Sequence, residues 1–200
     1  MRNVRSGKLL YHLTKIDNLE SILNLGLLSR RSLEDKNKKF KDITEKTAVE
    51  SSKELELDKF VPFHFSPYTS FDNVDREKFS DNLIYICVDR ECAKNKNFKI
   101  IPKKPINTDK IELMNFNAGM EEIEWKYMGK CYDCNDEITE IRGAECVTED
   151  CVSMDSVFSI YVKDQETETR VMNVLKKKNK SEDIYVNIIP EFFTFDAKKY

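Results

Sequence analysis

The stretch Y-H-L-T-K-I-D-N-L-E-S-I-L-N-L-G at residues 11–26 decides how the chain begins to fold, because it joins a short strand to a helix. Residues 11–13 are predicted to form the strand. Asp17 followed by Glu20 is typical of a capping box, in which side chains satisfy the first amide groups of a helix. Gly26 suits the position just past the helix end. The predicted apolar face of this helix consists of Leu19, Ile22 and Leu23.

Hydrophobic patterning extends this start into a chain of helices and strands. L-I-Y-I-C-V at 83–88 predicts a core strand, whereas V-P-F-H-F-S-P at 61–67 contains prolines and fits an edge or irregular strand better than a central one. Residues 30–59 are polar and charged and predict a long loop with one helical stretch. Further strands are predicted at 98–101, 141–147, 158–162 and 184–189, and helices at 121–128 and 167–178. The pattern indicates an α+β fold.

Composition indicates one ordered domain. The 200 residues are 40% hydrophobic, 10% aromatic and 34% charged, with five glycines and five prolines. This composition leaves little room for disorder or linkers. No apolar run approaches the roughly 20 residues that cross a bilayer, and the first residues lack the long apolar stretch of a secretory signal. We therefore expect a cytoplasmic protein without a membrane span.

The charge distribution leaves two interpretations open. A net charge of −3 argues against a general binder of polyanions, yet lysines cluster at 36–41, 94–99 and 176–180. These clusters either form a locally basic face or are solvated loops and helix ends.

Four of the six cysteines raise the question of a zinc site. Cys131 and Cys134 have the spacing of a zinc knuckle, whereas Cys146 and Cys151 do not have a comparable spacing. Reduced thiols are the favoured interpretation, and we predict no bound metal. A structural disulfide does not suit the expected compartment.

General catalytic motifs are missing, but three polar residues have unusual neighbours. The sequence contains no G-x-G-x-x-G, P-loop, G-x-S-x-G or H-E-x-x-H motif. His12 lies in an apolar strand end, His64 lies between two phenylalanines, and Glu145 lies within the predicted strand 141–147. Each histidine can equally be a partly buried structural residue. Alternation along the strand also allows Glu145 to face solvent.

Taken together, four segments resemble the ordered landmarks of the DarT family, the DNA ADP-ribosyltransferase toxins. They are Y-H-L-T-K-I-D-N-L-E-S-I-L-N-L-G-L-L-S at 11–29, V-P-F-H-F-S-P at 61–67, I-E-W at 123–125 and R-G-A-E-C-V at 142–147. The first segment is the most specific. The order and spacing of the four agree across nearly the whole chain.

The resemblance implies a compact ADP-ribosyltransferase-like fold over residues 1–200, a single domain whose central, mostly antiparallel sheet is flanked by helices. It also implies NAD as co-substrate, transfer of ADP-ribose to a base in single-stranded DNA, and a mobile loop at 30–60 that contacts the substrates. As a family of toxins, DarT further implies a macrodomain antitoxin as partner.

The resemblance also assigns roles to individual residues. Glu145 matches the catalytic carboxylate, which would orient the ribose 2′-hydroxyl, stabilise an oxocarbenium-like transition state and accept a proton from the attacking base. Residues implied to bind NAD or to line its cleft are His12, Thr14, Asn18, Phe63 and His64. A tyrosine is expected where His64 stands, and Phe63 and Phe65 are expected to support stacking.

A second departure from the family pattern concerns a basic residue. The resemblance predicts a catalytic arginine in the loop before residue 61, yet residues 32–60 contain none. Lys46 is the first candidate to replace it and Lys53 the second, with Arg30 and Arg31 further upstream. A lysine offers a point charge rather than the planar fork of an arginine. The sequence therefore does not decide which molecule accepts the ADP-ribose.

Two alternatives therefore stand beside the DNA transferase. One is the same chemistry on an RNA or protein acceptor. The other is a non-catalytic, zinc-containing nucleic-acid-binding module built on the four cysteines.

Overall fold

The computed structural model describes residues 3–44, 46–67, 82–104, 110–129 and 135–193, and of Lys46 it gives the backbone. The strands are β1 (Leu9–Lys15), β2 (Val61–His64), β3 (Leu83–Asp89), β4 (Lys99–Ile101), β5 (Met114–Asn115), β6 (Glu145–Thr148), β7 (Val157–Val162) and β8 (Tyr185–Ile188). The helices are α1 (Leu19–Leu25), α2 (Arg30–Asp35), α3 (Lys46–Glu54), α4 (Arg90–Asn95), α5 (Phe116–Glu122), α6 (Asp136–Arg142) and α7 (Gln165–Lys177).

All eight strands form one sheet in the order β5-β4-β6-β2-β1-β3-β7-β8. Neighbouring strands are antiparallel except β7 and β8, which are parallel. The predicted α+β architecture with a mostly antiparallel sheet is therefore confirmed. β1 lies inside this sheet, between β2 and β3.

Apolar side chains cover both faces of the sheet. Consecutive residues of a strand point to opposite faces. The larger cluster includes Leu10, Phe63 and Ile86 from the strands, and α1 and α7 supply further members of it. A smaller cluster contains Leu13, Tyr85 and Phe193. Each fully buried aliphatic or aromatic side chain stabilises the fold by roughly 1.5–3 kcal/mol, so these clusters hold the central strands firmly.

The predicted strand and helix at 11–26 are confirmed, but their junction differs from the prediction. Leu19 and Ile22 are buried, and Gly26 ends α1 with a φ of 78°. The capping box is wrong, because Asp17 lies in a 3-10 turn at Ile16–Asn18 and Asn18 occupies the N-cap without a capping side-chain bond. The amide of Asn18 is used elsewhere.

The prediction that 61–67 forms an edge or irregular strand rather than a central one is wrong about its position, since β2 lies between β1 and β6. β2 pairs with β6 at all four of its residues but with β1 at the single position Tyr11↔His64. The carbonyl of Pro62 points toward β1, where it accepts from His12. Since the N and C=O groups of one strand residue point the same way, the missing N–H of Pro62 falls where the ladder is open. Proline is thus compatible with a central strand.

Two predicted element boundaries also require correction. The segment 141–147 is not one strand, because α6 continues to Arg142 and β6 starts at Glu145. The predicted helix 121–128 is divided between the end of α5 and a 3-10 turn at Trp125–Tyr127. Ile123 and Met128 are buried, whereas Trp125 is partly buried against the core.

Residues 30–59 contain more structure than predicted. They form α2, α3 and a 3-10 turn at Leu57–Lys59. Arg31 donates to both carboxylate oxygens of Asp58 at 3.1 and 2.7 Å, which ties α2 to this turn. Lys53 pairs with Glu34 at 2.9 Å, which ties α3 to α2. The high charge of the segment is thus used partly in contacts between its own elements.

The predicted elements at the end of the sequence are confirmed within one or two residues. β7, α7 and β8 follow one another, and Val171 and Leu175 on α7 are buried as expected. None of the helices in the described ranges is both long enough and apolar enough to cross a membrane.

Candidate active site

Glu145 lies in the interior of the sheet. It is 3% exposed and stands directly opposite His64 on β2 and Ile101 on β4. His64 in turn stands opposite Tyr11 on β1. The alternative in which alternation turned Glu145 to solvent is therefore wrong, and the structure brings Glu145 and His64 together as predicted site residues.

A lysine that the sequence did not single out contacts this carboxylate. The Nζ of Lys104 lies 2.7 Å from the Oε1 of Glu145, and the two side chains are 25% and 4% exposed. A buried charge requires such a partner. Lys104 is separated from Glu145 by 41 positions, and only the pairing of β4 with β6 brings the two together. No local pattern in the sequence would have revealed it.

His12 lies at the junction of β1 and β2. Its Nδ1 is 2.8 Å from the carbonyl oxygen of Pro62, and its ring centroid is 5.7 Å from that of Phe63. A carbonyl oxygen only accepts, so Nδ1 carries the proton, and in the neutral ring Nε2 is the acceptor nitrogen. Phe63 and His64 are consecutive on β2, so their side chains leave that strand in opposite directions.

Thr14 and Asn18 are also brought together, but they bind other parts of the protein. The Nδ2 of Asn18 donates to the Oγ1 of Thr14 at 3.1 Å and to the carbonyl of Lys41 at 2.9 Å, while its Oδ1 accepts from the N–H of Lys41 at 2.7 Å. Both hydrogens of this amide are therefore used. Asn18 acts as a clamp that fixes the backbone at Lys41, just before α3.

The basic candidates in the loop differ in what they contact. Lys46 is the first residue of α3. Lys53 donates to both carboxylate oxygens of Glu34 at 3.0 and 2.9 Å. Arg30 forms a bidentate pair with Asp42. Burial opposes ionisation of that carboxyl, but the bonds from Arg30 keep the pKa of Asp42 below its ordinary value. Lys53 and Arg30 thus already hold structural partners.

The phenylalanines expected to support stacking are packed inside the protein. Phe63 is 0% exposed and Phe65 is 2% exposed. Phe65 meets the ring of Trp125 edge-on at 5.3 Å between centroids. Neither ring presents a face to a ligand in this structure, so the packing gives no support to the predicted stacking.

A buried arginine missed by the sequence analysis explains this packing. Arg90 is 7% exposed and lies over the rings of Phe65 and Trp125 at 5.1 and 5.7 Å. It donates to the carbonyl oxygens of Arg5, Leu9 and Phe65. Burial lowers the pKa of Arg90 to about 10, so it remains charged at neutral pH. Arg90 therefore anchors the start of β1 to the end of β2.

The cysteines give no support to the zinc alternative. Cys146 is buried in the main core, and burial raises the pKa of its thiol far above the ordinary value. A thiol held in its protonated form is a poor zinc ligand. Cys151 is exposed and donates to the carbonyl of Leu25 at 3.2 Å. Cys131 and Cys134 lie outside the described residues, and those that the structure does describe show no group of three or more potential metal ligands.

Comparison with known proteins decides the family. The sequence model described as "ssDNA thymidine ADP-ribosyltransferase, DarT" matches residues 11–194. The chain belongs to the DarT family. The match includes all four segments that carried the resemblance, and it confirms the predicted enzyme class, an ADP-ribosyltransferase. A comparison with curated protein sequences finds none that matches.

Solved DarT structures share the fold at low sequence identity. Thermus sp. 2.9 DarT in complex with ADP-ribosylated ssDNA superposes with a TM-score of 0.79 at 15% identity, covering 94% of this chain and 96% of that one. The same Thermus protein in complex with NAD+ gives a TM-score of 0.76 at 16% identity, with 94% and 98% covered. Thermosipho africanus DarTG in complex with ADP-ribose gives 0.75 at 21% identity, with 94% of this chain but 51% of that chain covered. The predicted ADP-ribosyltransferase fold is confirmed, and the bound NAD+ supports NAD as the co-substrate of the family.

Proposed function

We propose that this chain transfers ADP-ribose from NAD to thymidine in single-stranded DNA. Membership of the DarT family supplies the reaction class. The observation that carries the assignment to this chain is the carboxylate of Glu145, which is 3% exposed in the middle of the sheet yet paired with a cation. Burying a carboxylate costs free energy unless it is compensated, and a catalytic role gives a reason to maintain one at this position.

Glu145 has two tasks in the proposed reaction. The bond between ribose C1′ and the nicotinamide nitrogen breaks, and nicotinamide leaves with the bonding electrons. Positive charge develops on the ribose, and a carboxylate bonded to the 2′-hydroxyl stabilises it. A ring nitrogen of the base then bonds to C1′, and its proton passes to Glu145. The base must be unpaired to present that nitrogen, which fits a single-stranded acceptor.

NAD would be held at the junction of β1 and β2. His12 has its Nδ1 engaged with the carbonyl of Pro62, which fixes the ring at this junction. Thr14 and Asn18 contribute by holding the backbone at Lys41. Lys46 is the first residue of α3, which follows this clamp in the chain. It is proposed to supply the positive charge that the family resemblance predicts in this loop. In this proposal residues 30–60 form the segment that closes over the substrates.

The biological role is proposed at the level of the family. The similarity to Thermosipho africanus DarTG supports a toxin of a toxin–antitoxin pair, with a macrodomain protein that removes the ADP-ribose as its antitoxin. Modification of bases in DNA would block replication, which is a toxic outcome for a cell.

An acceptor panel tests the proposal. The protein is incubated with labelled NAD and one acceptor at a time: oligodeoxynucleotides with and without thymidine, matched RNA, duplex DNA and a protein extract. We expect label on thymidine-containing single strands and none on the oligonucleotides without thymidine. Label on RNA or protein instead would show that the protein transfers ADP-ribose to an acceptor other than single-stranded DNA. Absence of label from every acceptor would refute the proposed function.

A further inference from the structure

Within the described ranges, Lys104 is the cation that contacts Glu145. Its Nζ bonds to Oε1 at 2.7 Å. No hydrogen-bond donor contacts Oε2 in the part of the chain that the structure describes. The carboxylate therefore has one oxygen fixed by the protein and a second oxygen that is available to a hydroxyl group.

Backbone contacts hold Lys104 in place. It follows β4 by three positions, and Ile101 at the end of β4 stands opposite Glu145 itself. The N–H of Lys104 donates to the carbonyl oxygen of Glu140 on α6 at 2.9 Å. Its main chain is thus fixed by the strand on one side and the helix on the other. This main-chain support holds the ammonium group of Lys104 beside Glu145.

We propose that Lys104 is a positioning residue for the transfer reaction. Its ammonium group fixes Oε1 of the buried Glu145, so that Oε2 faces the ribose 2′-hydroxyl. This inference rests on the proposed function and adds a residue to it. Lys104 reaches the carboxylate from the end of β4.

Other charged groups around Glu145 must be considered in any pH experiment. Titratable or charged groups on the surrounding elements are His64 and Tyr11 across the sheet, Arg142 at the end of α6, and the ion pair of Asp58 with Arg31. These groups are unchanged in every variant compared below, so they contribute equally to each profile.

The test compares four variants of the full chain on labelled NAD and a thymidine-containing single strand. Lys104→Met removes the charge and the donor, Lys104→Gln keeps a donor without charge, and Lys104→Arg keeps both. Lys103→Met is the matched control, because Lys103 is adjacent in sequence and exposed. Folding of each variant is checked by circular dichroism. If Lys104→Met fails to fold, Lys104→Gln carries the same comparison.

We expect Lys104→Met and Lys104→Gln to lower kcat by about 100-fold, the scale of a small misplacement of a catalytic group, with KM for NAD changed less than about threefold. The acid limb of the kcat/KM profile should move to higher pH by about one unit or more, because a neighbouring cation favours an ionised carboxylate. Lys104→Arg should restore the acid limb and most of kcat, and Lys103→Met should match the wild type.

Two outcomes overturn this inference. One is a wild-type kcat and acid limb in both Lys104→Met and Lys104→Gln. The other is a loss of activity in those two variants with no movement of the acid limb and no recovery in Lys104→Arg, which indicates a purely structural role. Both outcomes require an active wild-type enzyme. If the wild type itself transfers nothing, it is the proposed function that fails.

Discussion

The Nδ1 of His12 lies 2.8 Å from the carbonyl oxygen of Pro62 and joins β1 to β2 by a side chain. The ladder between these strands contains the single pair Tyr11↔His64. The side-chain bond of His12 therefore takes the place of a backbone hydrogen bond between β1 and β2, which share one register pair. The same ring is our candidate for NAD binding, so its structural and functional roles must be separated.

Two substitutions of His12 separate those roles. The side-chain amide of His12→Asn can place a donor near the position of Nδ1, whereas His12→Ala cannot. We expect His12→Ala to lower both the thermal midpoint and NAD affinity, and His12→Asn to retain most of the stability but to bind NAD at least about tenfold more weakly, as expected when one hydrogen bond to the ligand is lost. Calorimetric titration with NAD is the measurement. Wild-type affinity in His12→Asn would mean that the ring serves only the sheet.

Asn18 is expected to control the backbone ahead of α3. Asn18→Asp keeps the acceptor for the N–H of Lys41 but places a carboxylate oxygen against the carbonyl of Lys41 and the Oγ1 of Thr14, so two donors are lost. We expect a loss of about 1–3 kcal/mol in the free energy of unfolding and faster proteolysis of residues 36–45. Asn24→Asp, exposed on the same helix, is the control. Equal proteolysis of the two variants would contradict the clamp.

The lysines of α3 give opposite expectations. Lys53 is already paired with Glu34 at 2.9 Å, an exposed pair worth at most about 1 kcal/mol, so Lys53→Ala should leave ADP-ribose transfer nearly unchanged. Lys46→Ala should lower transfer by at least about tenfold, because it removes the charge proposed for the loop. Lys46→Arg should equal or exceed the wild type. The assignment of Lys46 is wrong if Lys46→Ala is as active as Lys53→Ala.

Glycine is predicted to be required at position 26 because of the backbone conformation there. Its φ of 78° and ψ of 172° lie in a region that only glycine adopts readily, and a Cβ there would overlap the Sγ of Cys151. Gly26→Ala should lose about 1–3 kcal/mol from backbone strain alone, measured by urea denaturation. Adding Cys151→Ala should recover only the part due to overlap. Complete recovery in the double variant would show that the backbone conformation is not strained.

Local pattern was sufficient for the elements whose burial follows from neighbouring residues. β1, α1, β3 and α7 were predicted because apolar spacing and a terminal glycine are properties of a short stretch. Glu145 and His12 were proposed as site residues from the order of the four family segments, because patterning alone left both undecided. Both lie on strands inside the sheet.

Contacts between segments that are far apart in the chain could not be predicted from local sequence patterns. Pro62 suggested an edge strand because proline has no N–H to donate to a neighbouring strand. The sequence could not show that the ladder with β1 is open at Pro62, since β1 lies some 50 residues earlier. Arg142 lies in a helix because α6 continues until Gly143, although the apolar run suggested a strand. Lys104 appeared as one of many lysines until β4 placed it beside β6. For Pro62 and Lys104 the deciding partner comes from elsewhere in the chain.

The catalytic role of Glu145 is tested most directly by replacing one of its carboxylate oxygens with an amide nitrogen. The wild type, Glu145→Gln and Glu149→Gln, whose parent side chain is 60% exposed just after the same strand, are incubated with labelled NAD and a thymidine-containing single strand. We predict transfer by the wild type and Glu149→Gln, and a loss of at least about 1,000-fold in Glu145→Gln with NAD binding retained. Transfer by Glu145→Gln at the wild-type rate would contradict the central claim.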